Sequence, residues 1–303
     1  MQSQILNIQN NGCLTIAELS TEGTDKLMYI SGDTAIKQRK LIIEEVSESG
    51  SVNDLLVRNL SDQFVFMMDG DILIGAKQNR VLNTSVFIAP ESKSKINVSC
   101  VESGRWAYRT KSFTSADFTM DFAMRCSKSR ATTKSLREKR GHYADQNKIW
   151  EGIADSHSSR KIYSDTSDYS EIYETSKKDI NKFINDFKSD SSANGMSVFI
   201  NNKLICLDIF GRKDIYKEYF PKLLKGAAQD AIFIKKKKEF NEAEVKYKTV
   251  DFLDKFDDMK FTSHKGLCEG QERRFETKEI SGFELLYENN LIHLTGLNIK
   301  DEK

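Results

Sequence analysis

The chain has 303 residues, 39% of them hydrophobic and 30% charged, with a formal net charge of +1. That length can bury a sizeable core, as one large domain or two ordinary ones, and the composition excludes a disordered or fibrous class. The near-zero net charge excludes a whole-molecule field that recruits nucleic acid or a membrane surface, so electrostatic partners must be read from local patches.

No apolar run approaches the roughly 20 residues that span a bilayer. The opening MQSQILNIQNNG has neither a basic leader nor a long apolar stretch, so a secretory signal is not expected. The five cysteines, Cys13, Cys100, Cys126, Cys206 and Cys268, are odd in number and widely spaced. They form no disulfide framework or zinc pattern, and reduced thiols in a cytoplasmic protein are the simplest account. Pro90 and Pro221 are the only prolines, so no Pro-rich linker divides the chain, and no internal repeat is seen.

Residues 1–120 read mainly as strands. LIIEEVS and DLLVRNL come first. The alternating QFVFMM then leads through Asp69-Gly70 into DILIG. An Asp-Gly pair between apolar runs predicts a hairpin, because a type I′ turn needs positive φ at both central residues. TSVFIA and KINVSCV, separated by a turn around Pro90 to Ser94, predict a second antiparallel pair. Burying these faces calls for a sandwich or a curled sheet.

Residues 121–190 change character. From Arg125 to Lys161 there are ten Lys or Arg and four Asp or Glu, an excess of six positive charges. Helical spacing appears around Gln146, Ile149, Trp150 and Ile153. SDTSDYSEIYETS reads as a polar loop or mobile lid, and Ile180, Phe183, Ile184 and Phe187 mark a helix over about 176–187.

In residues 191–303, MSVFI and KLICLDIF flank Asn201-Asn202, another hairpin signal. An apolar stripe from Tyr216 to Ala231 follows at helical period. Pro221 within it predicts a break and a second helix start. TVDFLDKF reads as a shorter helix, and RRFETKEI, FELLY and LIHLTGL as closing strands, the last two joined around Asn289-Asn290. The expected class is therefore α+β: a β-rich, sandwich-like half over 1–120, a basic helical and polar connecting segment over 121–190, and an α+β half over 191–303. Whether these are separate or one intertwined domain is left open.

Chemistry is expected between Gly70 and Arg109. Lys77, Gln78, Asn79, Arg80 and Asn83 follow one strand, while Ser99, Cys100, Glu102, Arg105 and Trp106 close another. Antiparallel pairing of TSVFIA with KINVSCV would place their outer ends, and with them the two groups, side by side. Lys77, Arg80 and Arg105 suit phosphate or carboxylate. Gln78, Asn79 and Asn83 would read hydroxyls, Trp106 would stack on a base or sugar, and Glu102 would be the general acid or base. The plainer readings stand beside these. Lys77 and Arg80 read also as edge-strand charges, and Glu102 with Arg105 as a local salt bridge. Parity in KINVSCV puts Cys100 on one face with Ile96 and Val98, so it reads as a buried hydrophobe before it reads as a nucleophile, and no His lies nearby to activate it. The four histidines, His142, His157, His264 and His293, have no metal-ligand spacing. No phosphate-loop, dinucleotide or nucleophile-elbow motif occurs.

The run from Asp54 to Trp106, with its DG turn, GAKQNR, LNTSV and VSCVE-x-GRW, resembles the domain family named for its association with ADP-ribosylglycohydrolases and rhodanese-phosphatase proteins. NNKLICLDIFG, the helix ending in AAQDA and the closing SG…IHL segment extend the resemblance over about 44–297. Ser103 departs from it, where a larger polar residue is expected. The resemblance implies a setting in ADP-ribose, nucleotide or phosphoester metabolism and supplies no catalytic residues.

Two readings follow. The chain binds or processes a nucleotide-like, phosphorylated or ADP-ribosylated anion at the strand-end cluster, with no cofactor and no metal expected. Alternatively it is a non-enzymatic interaction module whose basic middle segment orders on a protein or nucleic-acid partner. No nucleic-acid motif supports the second, no membrane contact is expected, and a homo-oligomer is compatible with either.

Overall fold

The computed structural model describes residues 2–23 and 25–299. It begins with β1 (Ser3–Asn11), β2 (Leu14–Thr21), β3 (Tyr29–Ser31), α1 (Gly32–Lys37), β4 (Leu41–Glu45) and β5 (Asp54–Asn59). Then come β6 (Phe64–Met67), β7 (Asp71–Gly75), β8 (Arg80–Leu82), β9 (Val86–Ile88), β10 (Ser92–Cys100) and β11 (Phe113–Thr119). Three helices follow, α2 (Phe122–Arg137), α3 (Gln146–Arg160) and α4 (Ser170–Ile184). The remainder is β12 (Gly195–Ile200), β13 (Lys203–Phe210), α5 (Lys213–Ala231), α6 (Glu242–Phe256), β14 (Thr262–Lys265), β15 (Gln271–Glu276), β16 (Ile280–Tyr287) and β17 (Asn290–Asn298).

The class is α+β, with three sheets among the described residues. One has eight strands in the order β1-β2-β12-β13-β17-β16-β15-β14, one has six in the order β11-β7-β8-β10-β5-β4, and one has three in the order β3-β6-β9. The small sheet explains the unbroken apolar runs of the sequence, because strands covered on both faces need no polar alternation. Val65, Met67, Val86 and Ile88 pack with Leu55, Val57, Leu73 and Val98 of the six-stranded sheet. Phe66, Met68 and Phe87 face the other way, against Phe210, Ile292 and α5. The outer face of the six-stranded sheet is covered by α3 and α4 through Ile149, Ile153, Ile172 and Tyr173. Helix α6 covers the eight-stranded sheet through Phe252, Leu253 and Phe256. The first two strands of the chain lie in the eight-stranded sheet, where β2 pairs with β12.

Several local expectations are corrected. Asp69-Gly70 does not close a hairpin: β6 belongs to the small sheet and β7 to the six-stranded one. The pair is a corner between layers, with Asp71 N–H donating to Met68 C=O at 3.1 Å and Gly70 alone at positive φ, +82°. TSVFIA and KINVSCV do not pair either. The doubly buried β9 pairs with β6, whereas β10 runs along β5 and then β8. The helix α5 runs through Pro221 without a break. Pro221 is on the solvent side, and the carbonyl it leaves without a donor belongs to the exposed Lys217. SDTSDYSEIYETS is not a loose lid: its second half opens α4, and Tyr169, Ile172 and Tyr173 are buried. At the last hairpin the positive φ values fall on Glu288 and Asn289, one residue earlier than expected. Asn201-Asn202 does form the expected turn, both residues at positive φ.

A polar seam crosses the interior. Arg125 of α2, fully buried, donates to Asp69 of the corner at 2.9 Å and to both oxygens of Asp208 on β13 at 3.1 Å. Asp208 also meets His293 Nε2 at 3.2 Å, and His293 Nδ1 lies 2.9 Å from the Ser85 hydroxyl. Burial alone would raise the Asp208 pKa, but Arg125 and His293 hold it well below the carboxylate range. Thus two of the basic residues of the middle segment, Arg125 and Lys128, are interior ties between layers rather than solvated charges.

Candidate functional site

The two polar groups expected from sequence are brought together by β8 and β10, whose register sets Arg80 opposite Cys100 and Val81 opposite Ser99. Between β7 and β8 the chain turns tightly, with Gly75 at φ +128° and Ala76 at φ +40°. This turn presents Lys77, Gln78, Asn79 and Arg80 to the end of β10.

Glu102 and Arg105 form the base of the cluster. Arg105 donates from Nε to Glu102 Oε1 at 2.8 Å and from Nη2 to Glu102 Oε2 at 2.6 Å. Its Nη1 donates to the carbonyls of Ala76 and Ala107 at 2.6 and 2.7 Å. The Asn79 N–H and the Thr166 hydroxyl complete Glu102 at 3.0 and 3.1 Å. Burial alone would raise its pKa, but the Arg105 guanidinium and the Asn79 N–H hold it below the ordinary range. A buried carboxylate with both oxygens so occupied is held ionised and has no proton to donate. Beside it Asp168 accepts from Asn79 Nδ2 at 2.9 Å and from Ser170 N–H at 2.9 Å. Burial raises the pKa of Asp168 in spite of those bonds. The carboxyl whose pKa is raised in this cluster is therefore Asp168, which the sequence reading did not single out.

Lys77 and Arg80 are arranged differently. Lys77 Nζ donates to the carbonyls of Glu48 and Ser49 at 2.5 and 3.0 Å. Arg80 Nη2 donates to the carbonyl of Ser51 at 3.3 Å, and Nη1 to Gln78 Oε1 at 3.0 Å. The nearest carboxylate to Arg80, Glu45, is 3.8 Å away. Both cations are buried, yet their hydrogen-bond partners are neutral oxygens: Lys77 donates to two main-chain carbonyls of the loop over residues 46–53, and Arg80 to one carbonyl of that loop, to Gln78 Oε1 and to the Asn79 carbonyl. Two buried polar atoms here, Glu45 Oε2 and Arg80 Nε, have no hydrogen-bond partner among the described residues. Burial lowers the Arg80 pKa, which marks the cost of keeping that charge without a full counter-ion.

Aromatic rings rim the cluster. Trp106 and Tyr108 are about half exposed, and Lys77 Nζ lies 5.3 and 5.1 Å from their ring centres. Arg80 lies 5.7 Å from the Trp106 ring. Gly50, at φ +77°, crosses above: a side chain there would press on Trp106, Lys77 and Glu45. Cys100 is buried and donates to Gln78 Oε1 at 3.0 Å. Burial raises its thiol pKa, so the resting group is a thiol rather than a reactive thiolate. The Gln146 side chain pairs with its backbone in both directions at 2.8 Å, closing the end of β10 with α3.

Asn83 is not part of this cluster. Its side chain donates to His142 C=O at 3.0 Å and accepts from Ser99 Oγ at 2.7 Å, and its carbonyl receives Lys128 Nζ. It belongs to the polar seam, because it follows the end of β8 and its carbonyl lies against Lys128 of α2. Sequence reasoning missed Glu45, Gly50 and the 46–53 loop. Glycine at position 50 between Ser residues is the one local signal for a chain that must pass close over other groups.

The sequence profile of the ARG and Rhodanese-Phosphatase-superfamily-associated Protein domain matches residues 2–297, and the chain belongs to that family. No curated protein and no solved structure matches it.

Proposed function

We propose that the protein binds a small anionic ligand, phosphorylated or nucleotide-like, at Lys77, Arg80, Gln78 and Trp106 beneath the 46–53 loop. The observation that carries this reading is the pairing of two buried cations with main-chain carbonyls of one surface loop. An anion outcompetes neutral carbonyls for such donors, since charge-assisted hydrogen bonds are roughly twice as strong. Displacement of the loop frees the donors, and the Trp106 and Tyr108 rings then offer faces to a base or sugar. The family's association with ADP-ribosylglycohydrolases is consistent with a ligand of this kind. Glu102, Asn79 and Arg105 act as the rigid base that positions the Lys77–Arg80 turn, and no catalytic step is assigned to them.

Calorimetric titration with ADP-ribose, a nucleoside diphosphate and inorganic phosphate tests the proposal. Lys77→Ala is expected to weaken every phosphorylated ligand about tenfold, a change of about 1.4 kcal/mol. Trp106→Ala is expected to weaken the nucleotide-like ligands and leave inorganic phosphate unchanged. Failure of all three to bind, or identical binding by both variants and wild type, would refute it.

A further inference from the structure

A second surface of the molecule carries charge of a different kind. Helix α2 and the start of α3 enclose a groove of about 620 Å³ lined by Arg130, Lys134, Arg137, Arg140, Lys148 and Tyr143. The first three are spaced i, i+4, i+7, which aligns them on one side of α2. Like charges so placed destabilise a helix, and a soluble surface does not require them in a concave site. Two carboxylates line the same groove. Glu276 accepts from Arg130 at 3.2 Å and from Arg137 at 3.1 Å, which fixes both guanidiniums. Asp145 is the N-cap of α3, accepting from Lys148 N–H at 3.3 Å. Lys134 and Lys148 are exposed and make no ion pair among the described residues. In the wall, Ser135 is 3% exposed, and its hydroxyl has no hydrogen-bond partner. A buried hydroxyl without a partner costs stability unless something completes it.

We infer that this groove is an anion site for a small molecule carrying two or more adjacent phosphates, with Lys134 and Lys148 as the free cations and Ser135 as a hydroxyl donor. One phosphate leaves much of the volume empty and reaches few of the five cations, of which Arg140 lies in the chain between the helices and four come from two elements, α2 and α3. A pyrophosphate-like group meets cations from both. The site is separate from the loop-covered cluster, and the inference does not rest on that reading.

The test uses the full chain and inorganic pyrophosphate, titrated calorimetrically with orthophosphate as comparator. Because Lys134 and Lys148 are exposed, Lys134→Ala/Lys148→Ala is expected to fold as wild type, checked by circular dichroism. It is expected to lose one class of pyrophosphate site, or about tenfold in its affinity. Ser135→Ala is expected to weaken the same class, and orthophosphate to bind it more weakly than pyrophosphate. Lys77→Ala is expected to leave that class intact, so failure of the loop-covered site and failure of the groove read out separately. Pyrophosphate binding unchanged in the double variant would overturn the inference. So would binding of a single-stranded oligonucleotide at this surface while pyrophosphate does not bind.

Discussion

At the scale of single residues, the cluster between Gly75 and Tyr108 separates into two chemistries. Glu102 and Arg105 neutralise each other with paired hydrogen bonds, whereas Lys77 and Arg80 are held mainly by neutral oxygens. The first arrangement predicts stability. The Glu102 pKa is depressed in the fold, so its contribution is present above the unfolded-state value of 4.5 and is lost as pH falls through the folded value. Glu102→Gln leaves the Arg105 charge without its counter-ion, and we expect a loss of about 3 kcal/mol at pH 7 in chemical denaturation. The same variant should show a shallower decline of stability below pH 4.5. A variant as stable as wild type at pH 7 would mean that the pair is not a structural tie. Which residues gather was legible because Lys77 to Arg80 and Cys100 to Trp106 are local runs. The burial of Cys100 was legible from its parity with Ile96 and Val98. What each charge is paired with was not, since Glu48, Ser49 and Ser51 contribute backbone oxygens, which any sequence carries.

At the scale of elements, turn chemistry was legible where the turn is self-contained. Asn201 and Asn202 both take positive φ, as a two-residue hairpin requires. Asp69-Gly70 shows the limit of that reasoning. The pair does specify a turn, but the sheet each flanking strand joins depends on distant partners. Gly70 is required twice over: its φ is +82°, and a Cβ would lie 2.9 Å from Arg125 Cδ and Cγ. Gly70→Ala is therefore expected to cost about 2 kcal/mol from the left-handed backbone alone, with more from displacement of Arg125 off Asp69 and Asp208. A thermal melt within a degree of wild type would contradict this account of the corner. The break expected at Pro221 fails for a related reason. A proline signals a lost hydrogen bond, but its orientation decides whether water replaces it.

At the scale of the whole molecule, the α+β class and a sandwich of sheets could be read from alternating patterns, and the layer order could not. The small three-stranded sheet lies between the larger two, so its strands are apolar on both faces. Continuous runs such as FVFMM carry that information, but they do not say what covers each side. The first two strands give no local sign that they complete a sheet built mainly from the last hundred residues. Arg125 illustrates the consequence: it lies in a basic stretch and becomes the tie between Asp69 and Asp208. With the layers held by such buried ties, the loop over 46–53 is attached to the site below it chiefly through Lys77 and Arg80. The central claim is that an anion takes those cations from the loop. Hydrogen–deuterium exchange across the whole chain, with and without saturating ADP-ribose, measures this directly. Altered exchange is expected in residues 46–53 and in the segments around Lys77–Arg80 and Trp106–Tyr108, and it is expected to persist in Lys134→Ala/Lys148→Ala, where the α2–α3 groove no longer contributes. An unchanged 46–53 loop under saturating ligand, with changes elsewhere, would contradict it.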